Sequence, residues 1–559
     1  MENILGLKKS NCKNCYKCIR HCPVKSIRFE ENQAHIIKDE CILCGMCFAI
    51  CPQDAKAIRN DVGLVRDAIA EGKKVIATLA PSFVANYENS NLTSITSTLK
   101  SLGFADVVET SVGAKVVKDK YDELVNSNEH DILISTCCHS VILLIEKYYP
   151  ELVKYLAEVK SPMQVSGDLI AKENPGAFIV FIGPCISKKD EIEKVKTNID
   201  VVLTFEELDS WFKEDNIKLA EIPEDKLERS KTRLFPTTGG ILKTMACNNS
   251  EFTYMAIDGM ENCMKALDDI THNLLHNVFI EMSSCAGSCI NGPSIIKEHQ
   301  APIKDFIRIS KYAGSADYLI DKDVVETKKE FKYLGTHKSI PSEKDIEDIL
   351  QRMGKITKEK ELNCGSCGYP TCRDKAVAIF QGKAMIEMCL PFLQEKAQSF
   401  SDNIIKITPN GILVLNEKLH IELANKAMCD IFCVSSQQRL VGKDISEFIN
   451  PGLFATVLNE KRQIKARKMH LDRQNKYVEM SVSYDEDHHI IILLVRDITE
   501  ETNEKTEKDL MIQRTIEITN NVVQKQMTAV QEIASLLGES TAETKVALIN
   551  LKDSLENGK

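Results

Sequence analysis

The sequence has no surplus of positive charge: 71 Lys and Arg residues stand against 81 Asp and Glu, a formal net charge of −10. No basic cluster is available to neutralise a run of phosphates, so nucleic acid is not an expected partner. Long hydrophobic runs are missing too. Stretches such as Ile490 to Val495 fall far short of the roughly 18 apolar residues of a membrane span. The opening MENILGLKKS reaches its first cysteine before any apolar segment of signal-peptide length, so the expected location is cytoplasmic, with no membrane association. No histidine follows His489, and no glycine-rich nucleotide loop lies near the carboxy terminus. The last helices therefore lack both a phospho-accepting histidine and a kinase domain, and any signal must pass to another protein.

Cysteine, in contrast, is abundant, with 21 in 559 residues. In a small secreted domain that count would imply disulfides, but in a long chain with no export signal it points to metal ligation. The length implies about three to five domains. Cysteines fall in blocks at 12–51, 137–289 and 364–389, with a last pair at Cys429 and Cys433. That pair is four apart on an expected helix and reads as core.

From Lys73 to about Ser310, strand-like runs (KKVIATLAP, DILIST, AFIVFIGP, VFIEMSS) alternate with charged stretches of helical period, an α/β pattern. Three of these runs end in cysteine-bearing loops. Residues from about Gln398 to Thr499 read as a small α+β domain, with a hairpin at GILVLN and HIELANKAM and two further strands in KYVEMSVSYDEDHHIIILLVRDIT. Beyond Glu500, the residues Ile516, Val523, Met527, Val530, Ala534 and Leu537 follow a heptad seam, predicting a coiled-coil helix pair or a dimer helix.

In the first block one spacing occurs twice: Cys12, Cys15, Cys18, Cys22 before Pro23, and Cys41, Cys44, Cys47, Cys51 before Pro52. This is the bacterial dicluster ferredoxin run, in which the fourth cysteine of each copy serves the other copy's cluster. The expected 4Fe-4S sets are therefore Cys12, Cys15, Cys18 and Cys51, and Cys22, Cys41, Cys44 and Cys47. A zinc site would use four ligands in two pairs.

The adjacent cysteines in STCCHS (Cys137, Cys138) admit several readings: inert core, a strained disulfide, or one metal ligand beside one proton carrier. Taken together with GPCISKKDE (Cys185) and EMSSCAGSCINGP (Cys285, Cys289), this loop resembles the three signature segments of the FeFe-hydrogenase catalytic domain. The resemblance implies that Cys138, Cys185, Cys285 and Cys289 hold a cubane and that Cys289 bridges to a two-iron unit carrying carbon monoxide and cyanide. This assembly is the H-cluster. It further implies that Lys188 contacts a cyanide, that Cys137 passes the proton, and that Glu191 fills the family's acidic position, although a surface glutamate would fit the run KKDE equally well. A thiol near its reference pKa of about 8.5 suits proton transfer. Departures stand out: His139 replaces proline, Gly183 and Ser283 replace methionines that pack on the two-iron unit, and Pro293 follows a single Gly292. They imply an altered, more open site with low turnover, and His139 as either a proton relay or a hydrogen-bonded loop residue.

Cys364, Cys367, Cys372 and Cys389 resemble the four-cysteine iron–sulfur module of corrinoid iron–sulfur proteins, with Arg373 to Glu387 as the helix that returns the last thiolate. Four cysteines alone do not name their metal, and zinc stays an alternative. An additional 4Fe-4S cluster is expected, as a relay toward the carboxy-terminal half. NGILVLNEKLHIELANKAMCDIF, with Asn425, and the closing VRDITE, with Asp497, resemble a PAS domain whose ligand the sequence does not name.

The expected fold class is multidomain α/β and α+β. The expected order is a dicluster ferredoxin domain (1–60), an H-cluster-like domain (61–310), a charged linker (311–360), a four-cysteine module (361–398), a PAS domain (399–500) and coiled-coil signalling helices (501–559). The whole resembles the sensory subgroup of FeFe-hydrogenases. It implies a hydrogenase-type enzyme reacting with H2 and protons and serving as a hydrogen or redox sensor. Its implied partners are an electron carrier such as ferredoxin, a phosphatase or kinase, a second copy of the chain and separate maturation proteins. Two alternatives remain: a catalytic ferredoxin-linked hydrogenase, and a redox sensor that lacks the two-iron unit.

Overall fold

Parallel strands are covered on both faces, and their sequences read as unbroken apolar runs rather than alternating ones. VIATL and FIVFIG behave in this way almost throughout, and VFIEMS does so apart from Glu281 and Ser283. In the computed structural model they are the buried strands Val75–Leu79, Phe178–Gly183 and Val278–Ser283. The structure describes residues 4–556 except 9–10, 89, 221, 224–228, 296–301, 322, 337–338 and 462. The extreme ends of the first and last expected segments, 1–3 and 557–559, lie outside the described residues.

The chain folds as two units, Met1–Leu393 and Gln394–Lys559. Within the first, one parallel sheet runs Asp106–Glu109, Val75–Leu79, Phe178–Gly183, Val201–Thr204. A second runs Thr253–Asp258, Val278–Ser283, Ile132–Ile134, also parallel. The loops bearing Cys137 and Cys138, Cys185, and Cys285 and Cys289 leave the carboxyl ends of Ile132–Ile134, Phe178–Gly183 and Val278–Ser283. This is the end of a parallel sheet where ligands bind, because loops from neighbouring strands converge there.

The amino-terminal segment up to Ile58 forms two short antiparallel pairs, Leu5–Leu7 with Lys56–Ile58 and Ile27–Glu30 with Gln33–Ile36. The helices Lys17–His21 and Met46–Ala49 carry cysteines between them.

Residues 311–360 do not form a free linker. Lys160 N–H donates to the Thr327 carbonyl (2.8 Å), Lys329 N–H to Glu158 (3.2 Å) and Leu334 N–H to Glu146 (2.7 Å), so this charged segment lies along the hydrogenase-like domain. Its last part, Glu343–Arg352, is a helix capped by Ser342 and packed on the helix Cys372–Phe380. Composition alone reads such a stretch as solvated, because its lysines and glutamates find buried partners only in three dimensions.

In the second unit, a five-stranded antiparallel sheet runs Ile421–Ala424, Gly411–Asn416, Ile490–Asp497, Lys476–Asp485, Ile464–Leu471. Asn425 caps the helix Lys426–Phe432 by accepting from Met428 N–H, and it also donates to the Ile405 and Asn410 carbonyls. Cys429 is buried, but Cys433 is not core: it ends that helix with φ 58° and is exposed. Leaving the helix turns its side chain away from the face that Cys429 shares with the core. The last element is one continuous helix, Thr499–Glu556, and not a pair. Among the described residues, no helix is long and apolar enough to cross a membrane.

Candidate functional site

All cysteines are free thiols in the structure, the adjacent Cys137 and Cys138 among them. Three small cavities are each lined by four of them. Cys12, Cys15, Cys18 and Cys51 line the first. Cys22, Cys41, Cys44 and Cys47 line the second. Cys364, Cys367, Cys372 and Cys389 line the third. In the third, the helix spans only Cys372–Phe380, and a turn with a short 3-10 segment at Ile386–Met388 brings Cys389 back.

Four thiols around a small apolar cavity fit an iron–sulfur cluster, since thiolate is the ligand form and becomes favourable only beside cationic iron. Without that charge, burial raises the pKa of Cys44 to about 12, helped by its neighbour Cys22. The crossed grouping leads to a direct expectation. Cys51→Ala will remove the iron of the cluster held by Cys12, Cys15 and Cys18 and spare the other; iron content and electron paramagnetic resonance of the reconstituted protein will show it.

The third set of loops converges at the strand ends. Burial raises the pKa of Cys285, and so do the nearby thiols of Cys185, Cys289 and Cys138. Cys289 is raised by burial and then by Cys185 and Cys138. Cys285 and Cys289 thus each have Cys138 and Cys185 as charged neighbours, and repulsion among them as thiolates again fits a cationic cluster core.

Around them the structure arranges a charged network. Lys188 Nζ donates to the Cys137 carbonyl (3.1 Å) and pairs with Glu191. Glu191 is no surface residue: its exposure is 0%, and its other oxygen lies 3.2 Å from Lys329 Nζ. Burial pushes its carboxyl up, but the Lys188 and Lys329 ammoniums override that and hold it well below the usual range. Lys329 comes from the supposed linker, and nothing in its local sequence marks it.

Cys137 Sγ lies 3.4 Å from the hydroxyl of Tyr121, which accepts the Thr136 N–H at 2.8 Å. Burial pushes the Cys137 thiol up to about 12, well above an ordinary thiol. At neutral pH its sulfur holds its proton. Tyr121 escaped the sequence reading because it sits on the apolar face of the helix Ser111–Asn126, where an aromatic reads as core.

His139 is buried as the first residue of the helix His139–Tyr148, and its Nε2 meets Asp190 Oδ2 at 2.8 Å. Proline suits a first helical position; histidine there gains a tie to the helix Ser187–Lys194. Burial lowers its pKa, which favours a neutral, hydrogen-bonded ring. Glu281, in the third signature segment, is buried, and burial raises its pKa to about 7.

Two glycines join the centres. Gly45, between Cys44 and Cys47, has φ +73°, and a Cβ there would lie 2.5 Å from Pro293. The unusual Pro293 thus packs against the second cavity's loop. Gly368 has φ +94°, and a Cβ would stand 2.9 Å from Ile19 on the helix between Cys18 and Cys22. The four-cysteine module is therefore docked on the ferredoxin domain, where Arg20 and Lys25 donate to the carbonyls of Gly365, Ser366 and Gly368 and Lys383 pairs with Glu40 at 2.5 Å.

Comparison with known families accords with this architecture. The iron-only hydrogenase large subunit, C-terminal domain, matches residues 73–293. The 4Fe-4S dicluster domain matches 5–52, an Fe-S cluster family 361–391, and the PAS domain 409–500. The chain is a PAS-containing, FeFe-hydrogenase-like protein. Iron hydrogenase 1 of Clostridium pasteurianum is 25% identical over 337 residues, covering 49% of this chain and 58% of the relative. Cytosolic Fe-S cluster assembly factor NAR1 of Kluyveromyces lactis is 36% identical over 90 residues, 16% of this chain and 18% of that protein. A variant of FeFe-hydrogenase HydA1 from Chlamydomonas reinhardtii aligns over 49% of this chain and 99% of its own, with 17% identity and a TM-score of 0.40. The chain spans under two thirds of the length of the curated relatives it first matches, 58% and 57%. Within this FeFe-hydrogenase-like protein, the hydrogenase-like and PAS portions are joined through the helix Leu390–Ile407, which follows Cys389 directly.

Proposed function

We propose that this protein is a cytoplasmic hydrogen or redox sensor. It reacts with hydrogen at an H-cluster held by Cys138, Cys185, Cys285 and Cys289, and it passes its redox state to the PAS domain and terminal helix. The observation that carries this reading is Lys188, whose ammonium is buried beside Cys137 and held by Glu191, which Lys329 holds in turn. A buried, always-charged donor facing a thiol pocket suits an anionic diatomic ligand sheltered from water.

When bound, the H-cluster supplies the site at which H2 is split into two protons and two electrons. Cys137 Sγ holds one proton that it would hand on, and the thiolate so formed would take a proton back in the reverse direction; Tyr121 orients that sulfur. Glu191 holds Lys188 in place, and Lys329 holds Glu191. Gly183 and Ser283 stand where methionines would seal the two-iron unit, and their absence supports low turnover; at Gly183 the room is taken by the Phe181 ring, which a Cβ there would meet at 2.7 Å. Electrons exchange with a ferredoxin-type carrier through the amino-terminal domain, and a phosphatase or kinase receives the output.

A second reading is a hydrogenase-like redox sensor without the two-iron unit. The similarity to segments of NAR1, described as an Fe-S cluster assembly factor, favours it. Infrared spectra of the matured protein separate the two: bands of iron-bound carbonyl and cyanide support the first, and their absence from a protein with full cubane iron leaves the second.

The terminal helix supports a dimer in this proposal. Ile516, Val523, Met527, Val530 and Leu537 are all exposed along one heptad seam of the single chain, and a second copy would cover them. A charge at a central seam position is expected to weaken self-association at least tenfold, about 1.4 kcal/mol. Val530→Asp tests this by sedimentation equilibrium; a wild-type chain that stays monomeric at micromolar concentration removes the dimer from the proposal.

A further inference from the structure

Two of the three four-cysteine cavities are built with a buried ammonium in the wall. Lys375, on the helix Cys372–Phe380, is 1% exposed and lines the cavity of Cys364, Cys367, Cys372 and Cys389. Lys56 is 2% exposed and lines the cavity of Cys12, Cys15, Cys18 and Cys51. Each donates to a neutral carbonyl, Lys375 Nζ to Ile386 at 3.0 Å and Lys56 Nζ to Ala34 at 2.6 Å. Among the described residues, neither has a carboxylate within ion-pair distance. An ammonium carries three donors, and burying one without a compensating charge is costly.

The second cavity differs. No lysine lines the space between Cys22, Cys41, Cys44 and Cys47. A buried cation stands beside this set as well, but outside the lining: Lys147 Nζ donates to the carbonyls of Lys38 (3.4 Å) and Cys41 (2.7 Å), behind the loop that bears Cys41. Two cavities thus carry an ammonium in their lining, and the second has its ammonium behind the lining.

Four thiolates around a cubane make a net negative ligand, which is the charge that a buried, unpaired ammonium lacks. We propose that Lys375 and Lys56 are the built-in counter-charges of the module and first ferredoxin cavities, raising the reduction potentials there above that of the second cavity. The physical reason is Coulombic: each reduction adds one electron with no bond made or broken, and a fixed positive charge in a dry wall favours the more negative state. The asymmetry makes the four-cysteine module, docked on the ferredoxin helix at Gly368 and Ile19, and the first ferredoxin cavity resting places for electrons in preference to the second cavity. This rests on the reading that the cavities hold clusters.

The test is a dithionite redox titration of the reconstituted full-length protein, followed by electron paramagnetic resonance, with iron and sulfide content measured in parallel. In Lys375→Met, one cluster signal is expected to show a reduced-to-oxidised ratio about tenfold lower at the wild-type midpoint, about 59 mV for a one-electron couple. Lys56→Met will move a different signal, and Lys375→Arg will stay close to wild type. Full iron and sulfide with unmoved potentials overturns the lysine assignment alone. A wild-type chain that takes up no iron and sulfide in these cavities overturns the cluster reading and this one with it. Loss of iron from Lys375→Met but not from Lys375→Arg supports the charge role; loss from both makes Lys375 a packing residue and ends the proposal.

Discussion

Cys137→Ala is expected to lower hydrogen turnover by about 10²- to 10⁴-fold, the usual worth of a positioned proton-transfer group. The thiol is held by the Tyr121 hydroxyl at 3.4 Å and sits beside the Lys188 ammonium, which donates to its own carbonyl. Burial keeps its proton on sulfur up to about pH 12, so at neutral pH it is a loaded donor that gives up its proton only to a stronger base formed nearby. Alanine removes the proton and little volume, so the carbonyl and cyanide bands should persist. The measurement is hydrogen–deuterium exchange together with dye-linked hydrogen uptake in matured protein. A variant with wild-type exchange would take the proton role from Cys137.

Glu191→Ala is the change with the largest expected effect on stability. It leaves the ammoniums of Lys188 and Lys329 buried side by side with no carboxylate between them. Breaking a buried ion pair by removing one partner typically costs about 3–5 kcal/mol. Denaturant unfolding of the apo protein measures it, and adding Lys329→Met should recover part of the loss, because the two changes share one network. A cost near that of a surface substitution, within about 0.5 kcal/mol, would mean that water relieves the pair.

The pH dependence follows in sign. Glu191 has its folded pKa depressed by the two lysines, so its contribution is fully present above the unfolded carboxylate value of about 4.3. It is lost as pH falls below that value. Wild type and Glu191→Gln should therefore converge in stability on acidification.

The cysteine spacings were legible because iron–sulfur ligation forces short loops with fixed intervals, and such intervals survive in a linear string. The α/β order was equally plain, since parallel strands buried on both faces must be continuously apolar. PAS strands such as Lys476–Asp485 and Ile490–Asp497 lie where alternation and a polar turn put them. Other features left no local mark. Glu191 reads as one more charge in KKDE, and only its burial between lysines 3 and 138 residues away distinguishes it. Cys433 shares a helical spacing with Cys429, yet the backbone leaves the helix at that residue.

Composition and spacing by themselves therefore determined the inventory: which thiols form sets, which strands lead to them, and that a PAS domain and a heptad helix follow. Tertiary structure alone decided the surroundings of those thiols. Lys329 reaches Glu191 from a segment that composition reads as linker, Pro293 meets Gly45, and Gly368 meets Ile19. The physical reason is range: ligand spacing and strand period are local properties of the chain, whereas burial, charge compensation and close backbone approach depend on residues far apart in sequence that only packing brings together.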